Sequence, residues 1–258
     1  MADRTVLVSG GAGGLGGAVS AAFLAAGWRV VVPVRPHPDG AAATGQPGPL
    51  DEPVARQRPG ANRPAPAGGA GVPREALRFP ADLTDPEQVA RAVAVATAEP
   101  GSPLRAVVNL AGGYAAGGRV HETPVTEFER MLSVNLRPTY LVTQAALPHL
   151  VTAGGGAVVC VSSRAALAPF PGAAGYVTAK AAVLAFASAV AVEYRHSGVR
   201  CNTVVPSVID TPANRAAQPG ADHSRWVAPA EIAGVIRFLA GDESAPTSGA
   251  TIPVYGRA

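Results

Sequence analysis

The chain is nearly without lysine. Lys180 is the single one in 258 residues, and every other strongly basic side chain is an arginine. Arginine offers a planar fork, whereas lysine offers a compact, rotating ammonium that titrates readily when buried. A sequence that keeps one lysine among arginines points to a task a guanidinium does not fill. Cysteine is almost as scarce: Cys160 and Cys201 lie in apolar, strand-like runs with no CxxC or His-rich spacing. That argues against a disulfide framework and against a metal site, and fits reduced core thiols. Charge is low, 15% with a net +3, and no dense basic run or aromatic-interleaved basic patch occurs. Nucleic acid is therefore not an expected partner. No uninterrupted apolar run reaches the roughly 18–20 residues of a membrane span, and the N-terminus lacks a signal peptide's apolar region. The expectation is a cytoplasmic protein with no membrane partner.

What is present is an alternation of strand-like and helix-like segments. With 48% hydrophobic residues, the chain can bury the core of one α/β domain. Residues 5–9, Thr-Val-Leu-Val-Ser, suit a buried parallel strand, a glycine string runs from Gly10 to Gly16, and an alanine-rich helix spans about 14–26. Residues 29–34 are the next strand. Strand, glycine turn, helix and strand make the βαβ unit that sets a pyrophosphate on a helix N-terminus. Two glycine registers fit, Gly11-x-Gly13-x-x-Gly16 and Gly10-x-x-x-Gly14-x-Gly16.

The end of the second strand bears on which nucleotide binds. An NAD site usually has a carboxylate there for the ribose 2′-hydroxyl. Here the strand ends Val34-Arg35, with no carboxylate before Asp39. An arginine accepts a 2′-phosphate that an aspartate repels, so NADP(H) is favoured over NAD(H). Residues 36–75 are crowded with Pro, Gly and Ala and read as a flexible insertion in a single domain of residues 1–258.

Further on, strands are expected at 76–80, 104–110, 157–163, 200–205 and 251–254. Helices are expected from Thr84, as cap, to about 97, then 126–150 with a perturbation at Pro138, 176–196 and 229–240; 211–227 reads as irregular. This pattern is a Rossmann-type, doubly wound parallel sheet of about seven strands with helices on both faces. Tyr176 and Lys180 fall at i and i+4, on one face of a helix, where an ammonium beside a phenol lowers the phenol's pKa.

Along nearly its whole length outside 36–75, the chain resembles the short-chain dehydrogenase/reductase family. Ser9-Gly-Gly-Ala-Gly-Gly-Leu-Gly16 stands for the family's TGxxxGxG, Asn109-Leu-Ala-Gly112 for its NNAG, and Pro206-Ser-Val-Ile-Asp-Thr211 for its PGxIxT. Asn135, Ser163 and Tyr176-x-x-x-Lys180 follow at the family's spacing. The resemblance implies that Tyr176 is the acid–base group and that Ser163 bonds the substrate oxygen. It implies that Lys180 holds the nicotinamide ribose and lowers the Tyr176 pKa, while Asn135 supports a water relay. Cofactor contacts are implied for Gly10, Gly14, Leu15, Gly16, Asp82, Leu83, Asn109, Ala111, Gly112, Pro206, Ile209 and Thr211, beside Arg35, Tyr176 and Lys180.

Departures stand beside the matches. Ser207 replaces the glycine of PG, and residues 205–226 and 109–118 look similar to dihydropteridine reductases, which lack the serine that Ser163 supplies. The leading expectation is an NADP(H)-dependent oxidoreductase working on a small-molecule carbonyl or secondary alcohol. A C=N reductase of the pteridine kind and a non-catalytic dinucleotide-binding redox sensor are the alternatives. In the family the two long helices pair across subunits, so the resemblance implies a homodimer or homotetramer.

Overall fold

The computed structural model describes residues 3–36 and 75–257. The stretch read as an insertion falls, apart from its two end residues, on 37–74 and lies outside the described residues. Among these, seven strands form one sheet: β1 (Thr5–Ser9), β2 (Arg29–Val34), β3 (Leu77–Pro80), β4 (Leu104–Asn109), β5 (Gly156–Val161), β6 (Val199–Pro206) and β7 (Thr251–Val254). Their order is β3-β2-β1-β4-β5-β6-β7, with every pairing parallel.

Burial on both faces explains why the central strands read as unbroken apolar runs. Val6, Val8, Val30, Val32 and Val108 enter one core; Leu7, Val31, Val107 and Val158 enter the other. The first core is closed by α1 (Gly14–Ala25) and α7 (Pro229–Ala240), through Val19, Phe23, Ile232 and Ile236. The second is closed by α2 (Pro86–Thr97), α4 (Arg137–Thr152) and α5 (Ala174–Glu193). The strand order turns back between β1 and β4, which opens a crevice at their C-terminal ends, where ligands of such sheets bind.

Three local expectations are corrected. The cap of α2 is Asp85 rather than Thr84: the Asp85 carboxylate accepts from the amides of Glu87 at 2.8 Å and Gln88 at 3.3 Å, while the Thr84 hydroxyl donates to Asp82. Residues 211–227 are not wholly irregular, since Thr211 caps a short helix, α6 (Pro212–Ala217), by accepting from the Asn214 amide. Threonine followed by proline is a helix-start signal. Finally, α5 is long and apolar enough to cross a membrane by length and composition; Lys180 hides it from a test for uninterrupted runs. Its Ala179, Val183, Ala187 and Val190 are buried within this fold.

The perturbation at Pro138 has a clear form. A helix α3 (Val125–Asn135) ends and α4 begins at Arg137, with Leu136 between them. Pro138 has no N–H to offer the preceding turn. The Thr139 hydroxyl bonds the Asn135 carbonyl at 3.1 Å, so the break is closed by a side chain and Asn135 is held at the joint.

Candidate active site

β1 hands over to α1 through a loop in which the backbone itself is the functional surface. Gly10 has φ +69°, and a Cβ there would stand 2.8 Å from the Ala111 amide nitrogen. At Gly14 a Cβ would meet the Thr211 methyl at 2.8 Å, and at Gly16 it would collide with the Gly10 carbonyl. Gly13 has more room, its nearest neighbour lying 3.6 Å away. The geometry thus selects Gly10-x-x-x-Gly14-x-Gly16 of the two registers. No side chain caps the start of α1, which leaves its first amides without a side-chain acceptor and suits a phosphate there. Leu15 is partly buried behind this turn. The tight turn packing Gly16 on Gly10 and Gly11, which a side chain at Gly16 would break, and the helix start without a side-chain cap fit a dinucleotide's phosphates.

Along the crevice, Ser9 ties the two diverging strands together. Its hydroxyl accepts from the amides of Leu110 at 3.1 Å and Ala111 at 3.2 Å. Its position in the glycine motif was visible in the sequence, but this clamp was not. Asp82, after β3, accepts from the Thr84 amide and hydroxyl, and the amide bond chiefly holds its carboxyl below the usual range. Arg35, exposed past β2, is near enough to add to that effect. Leu83 is buried beside Asp82. At the end of β4 the Asn109 amide donates to the Thr143 hydroxyl at 2.9 Å, while its buried carbonyl oxygen has no protein partner. Pro206 closes β6, and Ile209 bridges to Val227, which brings Thr211 against Gly14.

The four residues expected to carry the chemistry gather beside this crevice. Asn135, fully buried, donates to the Gly113 carbonyl at 2.9 Å and the Met131 carbonyl at 3.0 Å, and accepts from the Gly113 amide at 3.2 Å. It clamps the backbone just after Ala111 and Gly112. Lys180, 7% exposed, donates to the Val161 carbonyl at 3.2 Å. Burial pushes its ammonium down to about 8, with Cys160 opposing. Ser162 is withdrawn from the site, its hydroxyl bonding the Lys180 carbonyl at 2.7 Å. Ser163 instead caps a short 3-10 turn by accepting from the Ala165 amide at 3.2 Å, and it faces the Tyr176 phenol.

One electrostatic expectation is overturned. The Tyr176 pKa is raised, first by burial and further by Tyr114, with Ser163 working in the opposite direction. Lys180 is not among the groups that act on it, because its ammonium turns to Val161 and is itself weakened by burial. The sequence also gave no individual notice of Tyr114. Its ring stands 5.1 Å from that of Tyr176 at 84°, an edge-to-face pair. Arg164 and Arg215, cations near the site in sequence, are engaged elsewhere: Arg164 lies over the Tyr255 ring and Arg215 pairs with Asp210.

A doubly wound sheet with a phosphate cradle and an Asn–Ser–Tyr–Lys cluster defines a nicotinamide-dependent oxidoreductase. Comparison with known proteins agrees. Residues 61–256 match the family model described as enoyl-(acyl carrier protein) reductase. The chain is 37% identical over 192 residues to 2-(R)-hydroxypropyl-CoM dehydrogenase of Xanthobacter autotrophicus, covering 70% of this chain and 76% of that protein. It is 31% identical to the 2,5-dichloro-2,5-cyclohexadiene-1,4-diol dehydrogenase LinX of Sphingobium indicum, over 99% of this chain and 96% of the other. A short-chain type dehydrogenase/reductase from Mycobacterium ulcerans superposes with a TM-score of 0.80 at 28% identity, covering 100% of this chain and 90% of that one. The chain belongs to the short-chain dehydrogenase/reductase family and is an NAD(P)-dependent oxidoreductase acting on alcohol or carbonyl substrates.

Proposed function

We propose that the protein is an NADP(H)-dependent enzyme of the cytoplasm that interconverts a small carbonyl compound and its secondary alcohol. The observation that carries this reading is Tyr176 facing Ser163, with Lys180 one helical turn on, buried beside Gly112. When bound, the nicotinamide dinucleotide supplies the hydride for reduction and accepts it in oxidation. Ser163 and Tyr176 hold the substrate oxygen between two hydroxyls. Tyr176 delivers its proton to that oxygen in the reductive direction and withdraws it in the oxidative one. Its raised pKa keeps the Tyr176 phenol protonated, so it holds the proton that the reductive direction needs. Lys180, with a pKa of about 8, exchanges protons near neutral pH and passes them toward solvent past Asn135.

For the dinucleotide, Gly10, Gly14, Leu15 and Gly16 form the phosphate cradle and Asp82 with Leu83 borders the adenine. Asn109, Ala111 and Gly112 floor the crevice, Pro206, Ile209 and Thr211 border the carboxamide, and Lys180 holds the nicotinamide ribose. Arg35 supports the choice of NADP(H), since no described carboxylate stands at the end of β2 to repel a 2′-phosphate. Ser163 in its expected place favours C=O over the pteridine-type C=N alternative. Assembly as a homodimer or homotetramer is supported by apolar surface on the long helices, where Tyr140 of α4 packs on Phe186 of α5 while remaining exposed. The test is turnover of a carbonyl panel with NADPH and with NADH, followed by reduced-nicotinamide absorbance. NADPH that binds without turnover of any carbonyl would defeat the reading.

A further inference from the structure

Tyr114 lies against the Tyr176 ring, and neither the family motifs nor the reaction itself calls for it. It follows Gly112 and Gly113 on the loop after β4. That loop is pinned at one end by the Asn135 clamp on Gly113 and at the other by a bond from the Gly117 amide to the Gly172 carbonyl, 2.8 Å. Between the pins, Tyr114 packs edge-to-face on Tyr176 yet stays 62% exposed. Most of a large aromatic ring therefore lies in water directly beside the reacting phenol. The facing loop, between Ser163 and α5, leaves Leu167 53% and Phe170 44% exposed. Apolar side chains scattered singly over a surface need no explanation. Three on two loops clipped together at Gly117 and Gly172, one of them packed on Tyr176, form a cluster rather than a scatter.

Charge near the site points the same way. Arg164 is drawn over the Tyr255 ring and Arg215 is paired with Asp210. The Glu122 carboxylate turns back to accept from the Arg119 amide. Each of the three already has a partner within the protein.

Resting on the reading of Tyr176 as the acid–base group, we infer that Tyr114 is a specificity-determining residue. The substrate it selects carries a flat, uncharged aromatic ring next to the carbonyl or carbinol carbon. The substrate ring stacks on the free surface of Tyr114 while its oxygen lies between Ser163 and Tyr176. Aromatic pairs prefer offset or edge-to-face contact, and an anchored Tyr114 presents its ring with little ordering cost.

The experiment compares kcat and KM for an aryl alkyl ketone and a short aliphatic ketone in wild type, Tyr114→Phe and Tyr114→Ala. Wild type should favour the aryl ketone in kcat/KM. Tyr114→Phe, which keeps the ring, should stay within about twofold of wild type. Tyr114→Ala should raise the ratio of aryl to aliphatic KM about tenfold, while any change in kcat from the lost contact with Tyr176 is shared by both ketones. If Tyr114→Ala depresses both ketones equally, or leaves the aryl preference intact, the inference fails although the enzyme reading stands. If wild type binds NADPH and turns over neither ketone, and Tyr176→Phe changes nothing, the failure lies in the reading of Tyr176, and this inference falls with it.

Discussion

The Asn135 amide oxygen and the Lys180 ammonium converge on one missing side chain. A Cβ on Gly112 would stand 2.5 Å from the first and 3.3 Å from the second. The glycine is thus what lets the helix joint at Asn135 and the buried lysine of α5 meet at the end of β4. Gly112→Ala must push the Asn135 amide off the Gly113 backbone or displace Lys180. Misplacement of about an ångström near reacting groups costs roughly 10²-fold. We expect kcat of Gly112→Ala to fall by about that factor while circular dichroism stays that of the wild type. A kcat near wild type would show that the convergence is incidental.

The two adjacent serines should separate cleanly. Ser163→Ala removes a hydroxyl facing Tyr176, so kcat/KM should fall by about 10²–10³, with a stability loss limited to the roughly 1 kcal/mol of its cap on the Ala165 amide. Ser162→Ala removes a buried donor bonded to the Lys180 carbonyl at 2.7 Å. That should cost about 1–3 kcal/mol of stability, read by denaturant titration, and affect kcat only through the placement of α5. Equal kinetic losses in both variants would contradict the assignment of Ser163 as the reacting partner.

Much of this was legible from residue order, and the gaps have physical causes. Strands buried on both faces announce themselves as valine-rich apolar runs, so β1, β2 and β6 fall within a residue or so of where the sequence places them. The site could be read because its parts are local: Tyr176 and Lys180 share a helix face, and Ser163 stands just past β5. What could not be read depends on contacts between distant segments. The Ser9 hydroxyl reaches amides about a hundred positions away, and Tyr114 meets Tyr176 only because two loops are clipped together at Gly117 and Gly172. The pKa of Tyr176 was misjudged for the same reason. Sequence spacing puts Lys180 beside it, but the rotamer that sends the ammonium to Val161 is set by packing.

Coenzyme choice can be tested at one position. Arg35 contributes to the lowered pKa of Asp82, the residue proposed to stand beside the adenine. Arg35→Asp replaces an attraction for a 2′-phosphate with a repulsion and supplies an acceptor for a 2′-hydroxyl. The ratio of kcat/KM for NADPH over NADH should fall by at least about tenfold, since one charge-assisted bond is worth roughly 1.5–3 kcal/mol. An unchanged ratio would remove Arg35 from the account of coenzyme selection.

Lys180 should make stability depend on pH in an unusual direction. Its pKa is lowered by burial from 10.5 to about 8. Near neutral pH both folded and unfolded chains carry the proton, and the fold bears the full cost of a buried ammonium, on the order of 3 kcal/mol. Between about 8 and 10.5 the folded lysine is neutral while the unfolded one still binds its proton. Stability rises with pH wherever the unfolded state holds more protons, so this contribution improves the fold through that window and is level above it. Lys180→Met removes the titration while keeping much of the volume. Its stability advantage over wild type, offset by the lost bond to the Val161 carbonyl, should be greatest near neutral pH and shrink as pH rises through the window. Lys180→Arg keeps a charge that does not titrate there, so its deficit relative to Lys180→Met should persist across the same range, and its activity should fall because a guanidinium fork does not fit a pocket shaped for an ammonium. Thermal midpoints of the three proteins measured at steps across that range decide the matter. A wild-type-to-methionine difference that does not move with pH would show that Lys180 keeps its ordinary pKa in the folded chain. Near-wild-type turnover by Lys180→Arg would remove the reason for the chain's one lysine.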